Sequence, residues 1–167
     1  MIELQTGLNK IEKVYHISDI HIRNFKRHEE YKRVFKSIYD YIDSTKTENS
    51  IIVLTGDIVH SKNDITPELV KEVTDLFIEL SSRLPTIVIP GNHDANLNNN
   101  ARLDSLTPVI DAMRNPNLFY LKDSGEYRIA DVSFVHWGIF DGEDKYIKPA
   151  DVNSECKIAL YLSLIHI

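Results

Sequence analysis

The sequence predicts an α/β protein, and three observations carry that prediction. Apolar runs of strand length alternate with longer segments whose apolar residues recur at helical spacing. Three of the strands run straight into short polar clusters: Asp19-Ile20-His21, Gly56-Asp57 and Gly91-Asn92-His93-Asp94. A helical segment separates each of these strands from the next, and crossovers of that length imply parallel strands with helices packed on the sheet. Loops at the carboxyl ends of successive parallel strands are where an open α/β sheet keeps its active site.

The first strand is expected over residues 13–18, with Val14, His16 and Ser18 on one face and Tyr15, Ile17 and Asp19 on the other. A helix follows over 25–44, where Tyr31, Val34, Phe35, Ile38, Tyr39 and Ile42 form one apolar stripe. Asn49-Ser50 leads into a buried strand over 51–55. Thr66-Pro67-Glu68 then starts a second helix with a hydroxyl N-cap, a proline in the first turn and an acid behind it. Leu69, Val70, Val73, Leu76, Phe77, Leu80 and Leu84 make its buried stripe, Pro85 ends it, and a strand returns over 86–89. Beyond Asp94 the chain turns polar at Asn96, Asn98, Asn99 and Asn100. Thr107-Pro108 opens a third helix, to residue 115. Short strands are expected over 118–121, 127–130 and 132–137, with a turn at Asp123-Ser124-Gly125, an acidic loop at Asp141-Gly142-Glu143-Asp144 and a last strand over 157–161. Neither repeats nor low-complexity tracts divide the chain.

At 167 residues the chain suits one domain of ordinary composition, 43% hydrophobic and 26% charged. No apolar run approaches a bilayer span, and the N-terminus lacks a basic region followed by an apolar stretch, so neither a membrane anchor nor a signal peptide is expected. A single cysteine, Cys156, cannot form an internal disulfide, which suits the reducing cytoplasm. The net charge of −6 argues against a general nucleic-acid binder. Locally the sign reverses: Arg23, Lys26, Arg27, Lys32, Arg33 and Lys36 oppose Glu29 and Glu30. This stretch begins two residues after His21, so Arg23 and Lys26 are the candidates for phosphate contact. The rest reads as a solvated helix face with acid–base pairs at helical spacing.

Asp, His and Asn are ligand types for divalent metals. Any one of the three clusters alone is a common turn or strand terminus; their order and placement make them a signal. The order Asp-x-His, Gly-Asp, Gly-Asn-His-Asp resembles the calcineurin-like metallophosphoesterase superfamily. More narrowly, Ser18-Asp19-Ile20-His21 and Gly56-Asp57-Ile58-Val59-His60 are similar to the DNA-repair nucleases of the SbcD type, in which a histidine follows Gly-Asp at the distance of His60.

The resemblance implies a metallophosphoesterase fold of β-sheet layers flanked by helices, and hydrolysis of phosphodiesters with two divalent ions, Mn²⁺ first and Fe or Zn²⁺ as alternatives. It implies Asp57 as the carboxylate shared by both ions, Asp19 and His21 as ligands of one and Asn92 of the other. His93 is then a proton donor at the phosphate, Asp94 the carboxylate that orients it, and His60 a phosphate contact. Implied partners are DNA and an SbcC-type coiled-coil ATPase, with no membrane. Cyclic-nucleotide and phosphoprotein hydrolysis on the same scaffold are the rival activities, and a metal-free binding scaffold the rival class. Of the other histidines, His16 reads as packed beside the site, His28 as helix surface and His136 as structural. Tyr15, Tyr31 and Tyr39 read as core aromatics.

The family also carries a His-Gly after the strand that begins near Lys157, and later a Gly-His-x-His element. Here Leu162-Ser163-Leu164-Ile165-His166-Ile167 follows Tyr161 instead. That hexapeptide is the translation of a common sequencing-library transposon-end adapter, CTG TCT CTT ATA CAC ATC. The expectation is therefore a phosphoesterase domain over 1–161, truncated at its C-terminus, an adapter scar over 162–167, no role for His166, and little activity in the chain as it stands.

Overall fold

The computed structural model describes residues 1–25, 27–97 and 103–162. Lys26, the polar run at Asn98, Asn99 and Asn100, and the C-terminal His166 lie outside the described residues. In chain order the strands are β1 (Ile2–Glu3), β2 (Lys13–Ile17), β3 (Ser50–Thr55), β4 (Thr86–Ile89), β5 (Leu118–Tyr120), β6 (Gly125–Ile129), β7 (Val132–His136) and β8 (Cys156–Leu160). The helices are α1 (His28–Thr45), α2 (Pro67–Ser81) and α3 (Thr107–Met113).

Strands β2-β3-β4-β5 form one wholly parallel sheet in that order, with Ile17 opposite Leu54 and Thr55 opposite Ile89. Consecutive strands are therefore neighbours, and their carboxyl ends stand side by side. Strands β1-β6-β7-β8 form a second sheet in which only the β6–β7 hairpin is antiparallel.

The alternation of side chains along β3 organises the layers. Ile52 and Leu54 pack with Val88, Phe77, Leu80, Phe35 and Ile110 in a core shared with all three helices. Ile51 and Val53 face the other way, onto Ile87, Tyr127, Phe134 and Leu160 of the second sheet. A strand covered on both faces reads as a continuous apolar run, as residues 51–54 do. The result is helices, parallel sheet and mixed sheet in three layers. Among the described residues no helix is long and apolar enough to cross a membrane, and Cys156 is a free, exposed thiol.

Three expectations are corrected. Helix α1 begins at His28 rather than at residue 25, because Phe25 and Arg27 take left-handed backbone (φ 52° and 63°) that a right-handed helix cannot include. Within its stripe Val34 is exposed. At α3 the capping acceptor is not Thr107 but Asp104, whose Oδ1 accepts from the amides of Leu106 (2.9 Å) and Thr107 (2.7 Å). Thr107 instead donates its hydroxyl to Asp104 Oδ2 at 2.6 Å, and Lys122 pairs with that oxygen at 2.9 Å. Strand β1, paired with β6 through Ile2 and Glu3, had no periodicity to announce it.

Burial alone would raise the Asp104 carboxyl, but the Thr107 and Lys122 contacts outweigh it and hold the group below its ordinary value. A depressed carboxyl contributes stability above the unfolded-state value of ~3.9, and that stability is lost as pH falls through the folded-state value. Asp104→Asn is therefore expected to lower the melting temperature at pH 7, by the equivalent of about 1–3 kcal/mol. The deficit should shrink toward pH 3. Thermal melts at the two pH values check this, and a deficit independent of pH would contradict it.

Candidate metal centre and active site

The loops after β2, β3 and β4 do not separate where their strands end. The amide of His21 donates to the Asp57 carbonyl (2.8 Å), Ile22 to Ile58 (2.8 Å) and His60 to Ile22 (3.0 Å), which carries a parallel ladder past both strands. Ile22, Ile58 and Val59 anchor this extension in the core. The polar residues between them are thereby held on a rigid base.

Asp19, His21 and Asp57 all have left-handed backbone (φ 54°, 50° and 52°), as does Gly56 (φ 80°). For residues other than glycine that conformation costs ~1–2 kcal/mol each, and such strain collects at functional sites. Gly56 and Gly91 permit the close approach of two loops. A Cβ on Gly56 would lie 2.8 Å from the Gly91 Cα, and one on Gly91 would collide with the Asp57 carboxylate.

Asp57 is buried, and its two oxygens are differentiated. Oδ1 accepts the amide of His93 at 2.9 Å, whereas Oδ2 faces His21 Nε2 at 3.7 Å. His21 Nε2 is also 3.9 Å from Asp19 Oδ1, and a ligand atom from each of Asp19, His21 and Asp57 lies within 4.8 Å of the other two. Ser18 donates its hydroxyl to Asp19. His60 and His93 stand beside this group with stacked rings, centroids 5.8 Å apart and planes 22° apart, and His93 meets His21 edge-on at 4.6 Å. Among the described residues, the Nδ1 atoms of His21 and His60 are buried without a hydrogen-bond partner. Two carboxylates and an imidazole within ångströms of one another, with orphaned imidazole nitrogens beside them, fit a divalent cation. Asn92 sits in the same turn as His93, its backbone carbonyl accepting from Lys62 Nζ at 3.2 Å. Lys62 carried no signal in the sequence, because only the folded chain brings it to the third loop.

Asp94 does not orient the imidazole of His93. Its Oδ2 accepts from the amides of Gly91 (2.9 Å) and Ile58 (3.2 Å), and its Oδ1 from Val59 (2.9 Å). The imidazole Nδ1 of His93 donates instead to the His60 carbonyl at 2.7 Å. The reason is burial. Asp94 is fully enclosed at the junction of the second and third loops, where otherwise unpaired amides converge on it. It is a positioning residue that clamps these two loops together. Burial pushes its carboxyl up to about 7, against the pull of the three amides.

The remaining assignments divide. Arg23 is exposed and makes no ion pair among the described residues, yet its charge reaches His60. Burial first, then the charges of Arg23, His21 and His93, lower the His60 imidazole below its ordinary value. The basic stretch behind Arg23 is largely neutralised: Arg27 pairs with Glu30 (2.5 Å), Lys32 with Glu29 (3.0 Å) and Lys36 with Asp40 (2.6 Å). His16 is exposed rather than packed, and bonds Thr55 Oγ1 at 2.7 Å. His28 is the half-buried first residue of α1, and its Nε2 donates to the Arg23 carbonyl at 2.7 Å. His136 is buried on the Asp123 carbonyl, in keeping with a structural role. Tyr31 ties α1 to the first loop by donating to the His21 carbonyl at 2.8 Å.

A model of the calcineurin-like phosphoesterase family matches residues 12–160. The uncharacterized protein R555 of Acanthamoeba polyphaga mimivirus is 43% identical over 167 aligned positions, covering 94% of this chain. The chain spans 12% of the length of that relative. The crystal structure of the Pseudomonas putida nuclease MPE is similar at a TM-score of 0.46 and 15% identity, over 74% of this chain and 54% of that one.

Proposed function

Because this chain belongs to the calcineurin-like phosphoesterase family, we propose that it carries the metal-binding loops of a DNA nuclease of the SbcD type. Family membership supports a metal-dependent phosphoester hydrolase; DNA as substrate, Mn²⁺ as the ion and an SbcC-type ATPase as partner are the finer reading. The observation that carries this reading is the His60–His93 stack beside the Asp19–His21–Asp57 group. It sets a second imidazole next to the proton-transfer residue, on the side reached by the charge of Arg23.

The chemistry that bound divalent ions would supply here is an acidified water and screening of the charge that develops on phosphorus. The chain supplies the rest. Asp57, Asp19 and His21 would hold one cation, and Asn92 would serve the second. His93 keeps its Nδ1 proton on the His60 carbonyl, so Nε2 is the nitrogen free to give or take a proton at the departing oxygen. His60 and Arg23 bind the phosphate. In this scheme water attacks the phosphorus directly, with no covalent intermediate on the protein. The clamp at Asp94 keeps the second and third loops in register while charge moves between them.

The test uses the complete gene product with linear duplex DNA, cyclic nucleotides and a phosphopeptide as parallel substrates. DNA is expected to be degraded with Mn²⁺. Arg23→Ala should weaken DNA binding and reduce its salt dependence by roughly one counterion. Hydrolysis of cyclic nucleotides with DNA left intact would overturn the nuclease reading.

A further inference from the structure

We propose that His21, His60 and His93 form a three-imidazole site for Zn²⁺ that shares His21 with the Asp19–Asp57 group and competes with it. One ring nitrogen from each of these histidines lies within 4.8 Å of the other two. Zn²⁺ takes imidazole nitrogens at about 2.0–2.1 Å in tetrahedral array, with three protein ligands and one open position in its reactive sites.

Three further features favour this site. The Nδ1 of His93 already donates to the His60 carbonyl at 2.7 Å. That is the outer contact a metal-binding imidazole ordinarily makes, and it leaves Nε2 as the ligand atom. Among the described residues His60 and His21 each carry a buried Nδ1 with no hydrogen-bond partner, which costs free energy unless something engages that nitrogen. The donor set is also distinctive. Three imidazoles bring no negative charge, so the hard ions Mg²⁺ and Ca²⁺ gain little there, while Zn²⁺ suits nitrogen donors. The Asp19–His21–Asp57 group, with two carboxylates, also accepts the harder ion Mn²⁺. One cluster of loops thus offers two overlapping positions of different chemistry, and both draw on the single imidazole of His21.

Zn²⁺ in this position would withdraw His60 and His93 from phosphate and proton transfer and so oppose Mn²⁺-supported hydrolysis. That consequence rests on the hydrolase reading; the site itself does not, so it is tested by binding alone.

The experiment measures Zn²⁺ affinity of the purified chain by competition with a chromophoric chelator, and Mn²⁺ affinity by the electron paramagnetic resonance of free Mn²⁺. One Zn²⁺ per chain is expected. His60→Ala should weaken Zn²⁺ at least tenfold and leave Mn²⁺ unchanged, whereas Asp19→Ala should weaken Mn²⁺ more than Zn²⁺. Loss of both ions together in His60→Ala, or of neither, overturns the proposal. If His60→Ala fails to fold, nitrogen-15 spectra of the wild-type imidazoles decide. Zn²⁺ should then move the resonances of His21, His60 and His93 and leave His16, His28 and His136 in place. Zn²⁺ shifts confined to His21 would refute the three-imidazole site.

Discussion

Asp57→Asn is expected to abolish metal-dependent hydrolysis in the complete protein while leaving the fold intact. The substitution keeps an oxygen that can accept the His93 amide, now 2.9 Å from Oδ1. It removes the negative charge from the oxygen that faces His21 at 3.7 Å. If Asp57 is the carboxylate shared by two ions, both lose a ligand at once. Asp19 is an exposed residue at the rim of the group, and Asp19→Ala should deplete one ion more than the other. Metal content by mass spectrometry and turnover on DNA check the pair. Unchanged metal content and rate in Asp57→Asn would sink the assignment. Asp57→Ala is the less informative variant, because it also strips the acceptor from the half-buried His93 amide.

His93→Ala is expected to lower turnover by ~10²–10⁴, the usual range for a proton-transfer group, without loss of bound Mn²⁺. The contrast with its neighbour makes the test specific. Asp94 touches three backbone amides and no imidazole nitrogen of His93. Asp94→Ala leaves those buried donors unpaired at a cost of ~1–3 kcal/mol each. Its effect should therefore appear first in the melting temperature and in the coherence of the metal site. A His93→Ala protein that loses Mn²⁺ would refute the proton-transfer role. An Asp94→Ala protein with unaltered stability would refute the clamp.

Much of the scaffold was legible because local rules and the fold agree. Residues 51–54 and 87–89 are apolar on both faces, and both strands are covered by helices on one side and a sheet on the other. Thr66 caps α2 through the amide of Leu69 at 3.4 Å, as a hydroxyl before proline predicts. Val34 belongs to the helical pattern of α1 yet lies on its exposed side, since periodicity marks a face but not what covers it.

The sequence by itself determined which residue types sit at the ends of three consecutive strands, and their adjacency followed once those strands lay in order in one parallel sheet. Only the tertiary structure decided the partners. Asp94 and His93 are neighbours in the chain, but the amides of Ile58, Val59 and Gly91 converge on the carboxylate, and the His60 carbonyl takes the imidazole. Asp104 rather than Thr107 caps α3 because Lys122 arrives from beyond β5 to hold it. Spacing specifies the direction and order of elements, since those depend on residues a few positions apart. Hydrogen-bond partners in buried loops depend on which unpaired backbone groups the packing leaves nearby, and that is a property of the assembled layers.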